Sequence, residues 1–181
     1  QPTEALRLPL TAGVAVARAI RRNTDLNIRL KWPNDVMLNG KKTGGILTEM
    51  GAETDRLDWV VIGIGLNVNT ACGALPAEVE GIATSLAAEL GESIPRVDLL
   101  RDILVELESL YNDLLGSGFE SIRAEWKALS DTIGAHVAVT LPAGRAEGLA
   151  LDIDADGALL LRVEDGTIER VIAGMVTVKE S

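Results

Sequence analysis

The chain has 181 residues, 47% of them hydrophobic, which fits one large domain or one medium domain with a small appendage and supplies enough apolar material for a real core. It contains 13 basic and 18 acidic residues up to residue 130 and 4 and 9 after it. Each part therefore carries −5, and neither offers the basic surface that nucleic-acid binding uses to displace counterions. Aromatics are only 3%, which argues against base-stacking platforms. No apolar run reaches the roughly 18 residues that a membrane-spanning helix needs. Cys72 is the single cysteine and His136 the single histidine, which argues against a disulfide framework, a Cys/His zinc site and a Ser-His-Asp triad. A cytoplasmic protein is the simplest expectation.

In chain order, Leu10 to Arg22 predicts a helix, with Thr11 as its N-cap. Ile28 to Lys31 predicts a short strand, ended by Pro33, which biases Trp32 to an extended backbone. Val36–Leu38 and Thr43–Met50 predict two strands joined by Asn39-Gly40, a strong two-residue hairpin signal. Trp59 to Leu66 is a continuous apolar run and predicts a buried central strand. Residues 69–81 predict a loop. Helices are expected at 82–90, 97–115 and 119–129, the middle one turning Leu100, Ile103, Leu104, Leu107, Leu110, Tyr111 and Leu114 to the core.

The pattern changes after Asp131. Val137–Val139, Ala146–Ile153, Leu159–Val163, Ile168–Ile172 and Val176–Val178 predict five short strands separated by turn signals, which suggests a small SH3-like β-barrel. The fold class is therefore α+β: a mixed, mostly antiparallel sheet with packed helices over residues 1–130, and a barrel over 131–181. The acidic set Asp152, Asp154 and Asp156 lacks the spacing of a calcium loop and reads as a solvated turn.

The chemistry concentrates in two stretches, Lys31-Trp32-Pro33-Asn34-Asp35 with Lys42 and Gly44-Gly45-Ile46-Leu47, and Gly63-Ile64-Gly65-Leu66-Asn67. A two-residue turn at Asn39-Gly40 pairs Leu38 with Lys41, Met37 with Lys42 and Asp35 with Gly44. Asp35, Met37, Lys42 and Gly44 then share one face, with Asp35 and Lys42 roughly 7 Å apart at Cβ. Gly63 and Gly65, at period two, clear one face of a neighbouring strand, so a flat ring can approach the backbone. A lysine over such a surface suits a carboxylate or phosphate. On motif physics alone a solvated turn with exposed lysines is the alternative reading. Trp32 reads as core. Gly63-Ile64-Gly65 is not a dinucleotide fingerprint, because Val68 replaces the third glycine.

Lys31 to Asp35, Lys42, Gly45 to Leu47 and Gly63 to Asn67 together resemble the signature of the biotin–protein ligases, and the tail after residue 130 is similar to that family's C-terminal domain. The resemblance implies MgATP-dependent formation of biotinyl-5′-AMP, then transfer of biotin to a lysine of a biotin carboxyl carrier domain in a carboxylase. It implies catalytic roles for Lys42 and Asp35 and a biotin wall of Lys42, Gly45, Ile46, Leu47, Gly63, Ile64 and Gly65. It implies nucleotide contacts from Lys31, Asn34, Asn67 and Lys179, and Mg²⁺ on Asp35. ATP, Mg²⁺ and biotin are the expected ligands, and the resemblance leaves room for a homodimer. Two alternatives stay open: a ligase for another carboxylic acid such as lipoate, and the ligand-binding part of a biotinyl-AMP-sensing repressor. The family's Gly/Arg-rich loop would lie upstream of Gln1, so residues 1–181 alone are expected to ligate poorly.

Overall fold

A computed structural model describes residues 5–53, 56–71, 73–79, 81–141 and 144–178. Cys72 and Lys179, both singled out by the sequence, lie outside them. The architecture is α+β, with a small SH3-like β-barrel at the C-terminal end.

Helix α1 (Arg7–Asn23) is the centre of the first part. Its residues from Leu10 to Ala17, with Ala19 and Ile20, are buried, because it lies between the inner face of a sheet and two further helices. It starts earlier than the sequence suggests. Thr11 does not cap it but sits inside it, donating its hydroxyl to the Arg7 carbonyl at 2.8 Å. Strands β1 (Ile28–Lys31), β2 (Asp35–Leu38), β3 (Lys41–Glu53) and β4 (Arg56–Leu66) follow as an antiparallel meander in spatial order 1-2-3-4.

Among the described residues β4 is an edge strand, not a central one. Ile62, Ile64 and Leu66 turn inward, whereas Trp59 and Val61 are each 54% exposed. The apolar run thus hides an alternation. Composition alone does not reveal it, because both faces carry apolar or glycine residues.

After a loop, α2 (Leu86–Leu90) is shorter than expected. Ser85 caps it, accepting from the Ala88 N–H at 3.1 Å, and the residues before Ser85 form a turn at Gly81-Ile82 and a bridge at Ala83 instead of helix. Helix α3 (Arg96–Gly116) packs on α1 through Leu99, Ile103, Glu106 and Leu110. That stripe is offset from the expected one, since Leu100, Leu104 and Tyr111 are exposed. The offset has a polar cause. Glu106 is buried and accepts from Arg18 at 3.3 Å, with Arg22 also on its carboxylate, so one core position is an acid that hydrophobic periodicity skips. Helix α4 (Glu120–Leu129) closes the layer through Ile122, Trp126 and Leu129.

The barrel consists of β5 (His136–Leu141), β6 (Gly144–Ile153), β7 (Leu159–Val163), β8 (Ile168–Val171) and β9 (Met175–Val178) in order 8-7-6-5-9. Its Asp152–Asp156 turn is not merely solvated. Asp152 pairs with Arg123 and Lys127 of α4, each at 2.9 Å, and Asp156 with Arg7 of α1 at 2.8 Å. Trp32 is core, 1% exposed, and donates its indole N–H to the Gly157 carbonyl at 3.0 Å, so the block that carries Asp35 is anchored to the barrel.

One glycine shows how tightly β3 and β4 meet. A Cβ on Gly44 would lie 2.7 Å from the Gly65 carbonyl oxygen and 2.9 Å from a Leu66 methyl. Gly44→Ala is expected to lower stability by about 1–3 kcal/mol, the usual cost of overpacking. A urea titration reads it as a fall in midpoint at unchanged slope.

Candidate functional site

The Asn39-Gly40 turn forms as its sequence demands, with φ of +50° and +76°, and it pairs Leu38 with Lys41 and Met37 with Lys42. The next step departs from simple alternation. The register shifts between Val36 and Met37, so that Val36 faces Gly44 and Asp35 faces Gly45. Thr43 is the extra residue of this bulge, and its hydroxyl donates to the Asn67 carbonyl at 3.4 Å. The bulge corrects the expected face: Gly44 turns inward with Val36, while Gly45 joins Asp35 and Lys42.

Gly45 has no side chain to keep Lys42 away, and Lys42 lies over it. A Cβ there would sit 3.2 Å from Lys42 Cε and 3.3 Å from its Nζ. The β3–β4 register continues the face, with Gly45 opposite Gly65 and Leu47 opposite Gly63. A Cβ on Gly63 or Gly65 would meet nothing closer than 3.7 Å. These residues, with Asn34, Ile46 and Ile64, line a shallow groove of about 450 Å³. Its floor is backbone. Ile46 and Ile64 contribute main chain to it, since the Ile46 side chain is 3% exposed and Ile64 packs against the core. Leu47, 61% exposed, is the apolar side chain at the rim.

The cationic end is a three-residue cluster. The Lys42 ammonium donates to Asp35 Oδ1, and the Lys31 ammonium lies 3.3 Å from Asp35 Oδ2. Asp35 is the most enclosed of the three, and Lys42 the most exposed at 50%. Two cations share one carboxylate, so the cluster keeps one positive charge facing the groove. Asn34 ties the turn before β2 to β3: its side-chain amide donates to the Ile46 carbonyl at 2.6 Å, and its own carbonyl accepts from the Ile46 N–H at 2.9 Å.

Behind the groove, Ile82–Thr84 runs alongside Lys42 as a short parallel strap. Lys42 N–H donates to Ile82 O at 2.8 Å, and Thr84 N–H to Lys42 O at 2.9 Å. Asn67, expected at the nucleotide, here donates its side-chain amide to the Thr84 carbonyl at 3.1 Å. Glu89 of α2 accepts from the Thr84 hydroxyl at 2.7 Å and from the Asn39 amide at 2.6 Å. These bonds, that of Thr84 foremost, hold its carboxyl below the usual carboxylate range. Sequence reasoning did not single out Ile82–Thr84 or Glu89. Their one sequence signal is Thr84-Ser85 ahead of an apolar run, which reads only as a helix start.

Among the described residues no group of three or more His, Cys, Asp or Glu side chains could hold a metal. Asp35 is the carboxylate paired with Lys42, and both its oxygens already face ammoniums, so the described residues do not form a cation cage. A larger cavity of about 610 Å³ lies between α1, α3 and β4. Among the described residues its lining includes Trp59, Ile62, Leu104 and Tyr111 with the acids Asp58 and Glu108. Among the described residues no helix is long and apolar enough to cross a membrane, which says nothing of β-barrels.

The family description "Biotin/lipoate A/B protein ligase family" matches residues 1–67, and "Biotin protein ligase C terminal domain" matches residues 132–178. The chain is 42% identical over 160 residues to the bifunctional ligase/repressor BirA of Bacillus subtilis, covering 88% of this chain and 49% of that protein. It is 38% identical over 166 residues to the biotin–[acetyl-CoA-carboxylase] ligase of Mycobacterium tuberculosis, covering 89% and 58%. The biotin protein ligase of Aquifex aeolicus, solved in complex with biotin and ATP, superposes with a TM-score of 0.82 at 28% identity, covering 97% of this chain and 72% of that one. The chain thus spans about half the length of the first two relatives.

Proposed function

The chain belongs to the biotin protein ligase family, and from that premise we propose that its groove binds biotin and the α-phosphate of ATP and joins them. The observation that supports this most is the placement of the Lys42 ammonium at the end of a floor made of Gly45, Gly63 and Gly65. The bicyclic ring of biotin lies on the bare backbone, with Leu47 at its edge. Lys42 bridges the biotin carboxylate and the α-phosphate.

Two anions repel on approach, and a cation between them lowers that cost and stabilises the charge that builds on phosphorus. A carboxylate oxygen attacks the α-phosphorus, the bond to the bridging oxygen breaks, and pyrophosphate leaves with the electron pair. In the second step the neutral ε-amine of an acceptor lysine attacks the acyl carbon. The bond to AMP breaks, and the amine's proton passes to solvent. The acceptor is a biotin carboxyl carrier domain of a carboxylase.

Asp35 serves this reading as an orienting group. It keeps Lys42 and Lys31 at one end of the groove, and Lys31 then faces the outer phosphates. Any Mg²⁺ that accompanies ATP would be held by the nucleotide's oxygens rather than by Asp35, and would neutralise phosphate charge there. Asn34 and Asn67 shape the strands that carry the contacts, and Lys179 is carried as a nucleotide contact from the resemblance alone. The proposal divides the chain into a catalytic portion, 1–130, and a barrel, 131–181, and places the protein in the cytoplasm.

Biotin is favoured over lipoate because the tail matches a domain description specific to biotin ligases. Nothing in the groove favours a repressor, and both parts of the chain carry −5. The test is biotin-dependent ATP–pyrophosphate exchange by the full-length protein. Exchange driven by lipoate instead of biotin, or no exchange, would overturn the reading. Asp35→Asn is expected to slow exchange about tenfold with a smaller change in biotin affinity, because the amide no longer holds both ammoniums. Steady-state kinetics beside a biotin titration checks it.

A further inference from the structure

We propose that Glu89 is a positioning residue for Lys42, clamping the strap and the hairpin turn between which the lysine is held; this rests on the reading of Lys42 above. Lys42 lies three residues after Asn39. On one side its strand leaves the Asn39-Gly40 turn, and on the other its N–H and C=O both bond to the strap at Ile82 and Thr84. The Glu89 carboxylate reaches both. Oε1 accepts from Thr84 and Oε2 from Asn39, at 2.7 and 2.6 Å. One side chain on α2 therefore ties the turn to the strap. Asn67 adds a second hold on the same Thr84, through its carbonyl.

The arrangement has a specific purpose in space. Asn39 sits at positive φ, a conformation that Asn tolerates and that the turn requires. Its amide is held by Glu89. Lys42 is half exposed at its tip, and Asp35 restrains that tip while the clamp restrains its backbone. Without the clamp the backbone at Lys42 keeps its pairing to Met37 but loses the tie that fixes the strap against the turn. A displacement of about 1 Å in a group that must meet two reacting anions costs up to about 100-fold in rate. Loss of one of two restraints should cost less.

The experiment uses the full-length protein and the variants Glu89→Ala, Glu89→Gln and Asn39→Gly. Glu89→Ala is expected to lower the maximal rate of biotin-dependent ATP–pyrophosphate exchange about tenfold, with KM for biotin changed less than twofold. Glu89→Gln should restore at least half of the wild-type rate. The glutamine carbonyl still accepts from Thr84, and its amide can donate to Asn39 once that amide turns over. Asn39→Gly keeps the positive-φ turn and removes one tie, so it should behave as a milder Glu89→Ala. A second readout is the NMR relaxation of the Lys42 side-chain carbon Cε in protein labelled at lysine, assigned by its loss in Lys42→Arg. Glu89→Ala should raise its mobility and leave Lys31 unchanged.

Support requires both the rate loss with glutamine rescue and the change at Lys42 Cε. An unchanged rate in Glu89→Ala overturns the proposal, and so does a rate loss with Lys42 Cε unaltered. If Glu89→Ala does not fold, Asn39→Gly decides by the same two readouts. Should Lys42→Ala itself leave exchange intact, the ligase reading fails instead, and the relaxation measurement still tells whether Glu89 positions the lysine.

Discussion

In the full-length protein Lys42→Ala is expected to abolish biotin-dependent ATP–pyrophosphate exchange, by at least about 100-fold, the usual cost of removing a donor aimed at developing charge. Lys41→Ala should keep most of the activity. The two lysines are neighbours in sequence, have the same charge and differ in direction. Lys42 reaches over Gly45 to Asp35 at the end of the groove. Lys41 pairs with Leu38 on the opposite face, and its charge is felt by Glu89 instead. Lys42→Arg should also lose most of the rate. The ammonium lies on Gly45 with little room to spare, and a planar guanidinium does not replace a compact charge between two anions. Equal losses in Lys41→Ala and Lys42→Ala would mean that general positive charge, not placement, is what matters.

That contrast was legible in the sequence because Asn39-Gly40 fixes the register of its own hairpin. The legibility ended two residues later. The bulge at Thr43 is held by contacts to Asn67, some two dozen residues away in sequence, and no local pattern announces it. It exchanges the roles of Gly44 and Gly45: the first became a packing residue and the second the seat of Lys42. The same kind of long-range cause displaced the α3 stripe, where Glu106 is buried because Arg18 and Arg22 meet it. It also hid Glu89, an ordinary helix glutamate until the fold brings Asn39 and Thr84 to it. Periodicity sees which residues are apolar. It does not see which polar residues have found partners. The barrel strands were easier to read, because each turn carries its own glycine, proline or acidic signal.

Gly65→Val is expected to weaken biotin binding by more than about 100-fold while leaving the fold intact. The two glycine pairs of β3 and β4 make the argument by contrast. On Gly44 an added Cβ collides with backbone 2.7 Å away, so that variant tests stability and nothing else. On Gly65 the nearest atom to an added Cβ is the Gly45 carbonyl oxygen at 3.8 Å, an ordinary contact. Its face is the exposed one, shared with Gly63 and Gly45. Valine is also a good residue for a strand, so the substitution carries no backbone penalty there. What it does is fill the floor of the groove with two methyl groups where a ring must lie against the backbone. Gly65→Ala should show the same effect at smaller size, and Gly63→Ala should follow it, because both glycines open the same face. Calorimetric titration with biotin, run beside thermal melts of each variant, separates the two outcomes. Intact affinity in a folded Gly65→Val protein would place biotin elsewhere and leave Gly63 and Gly65 without a ligand to explain their openness.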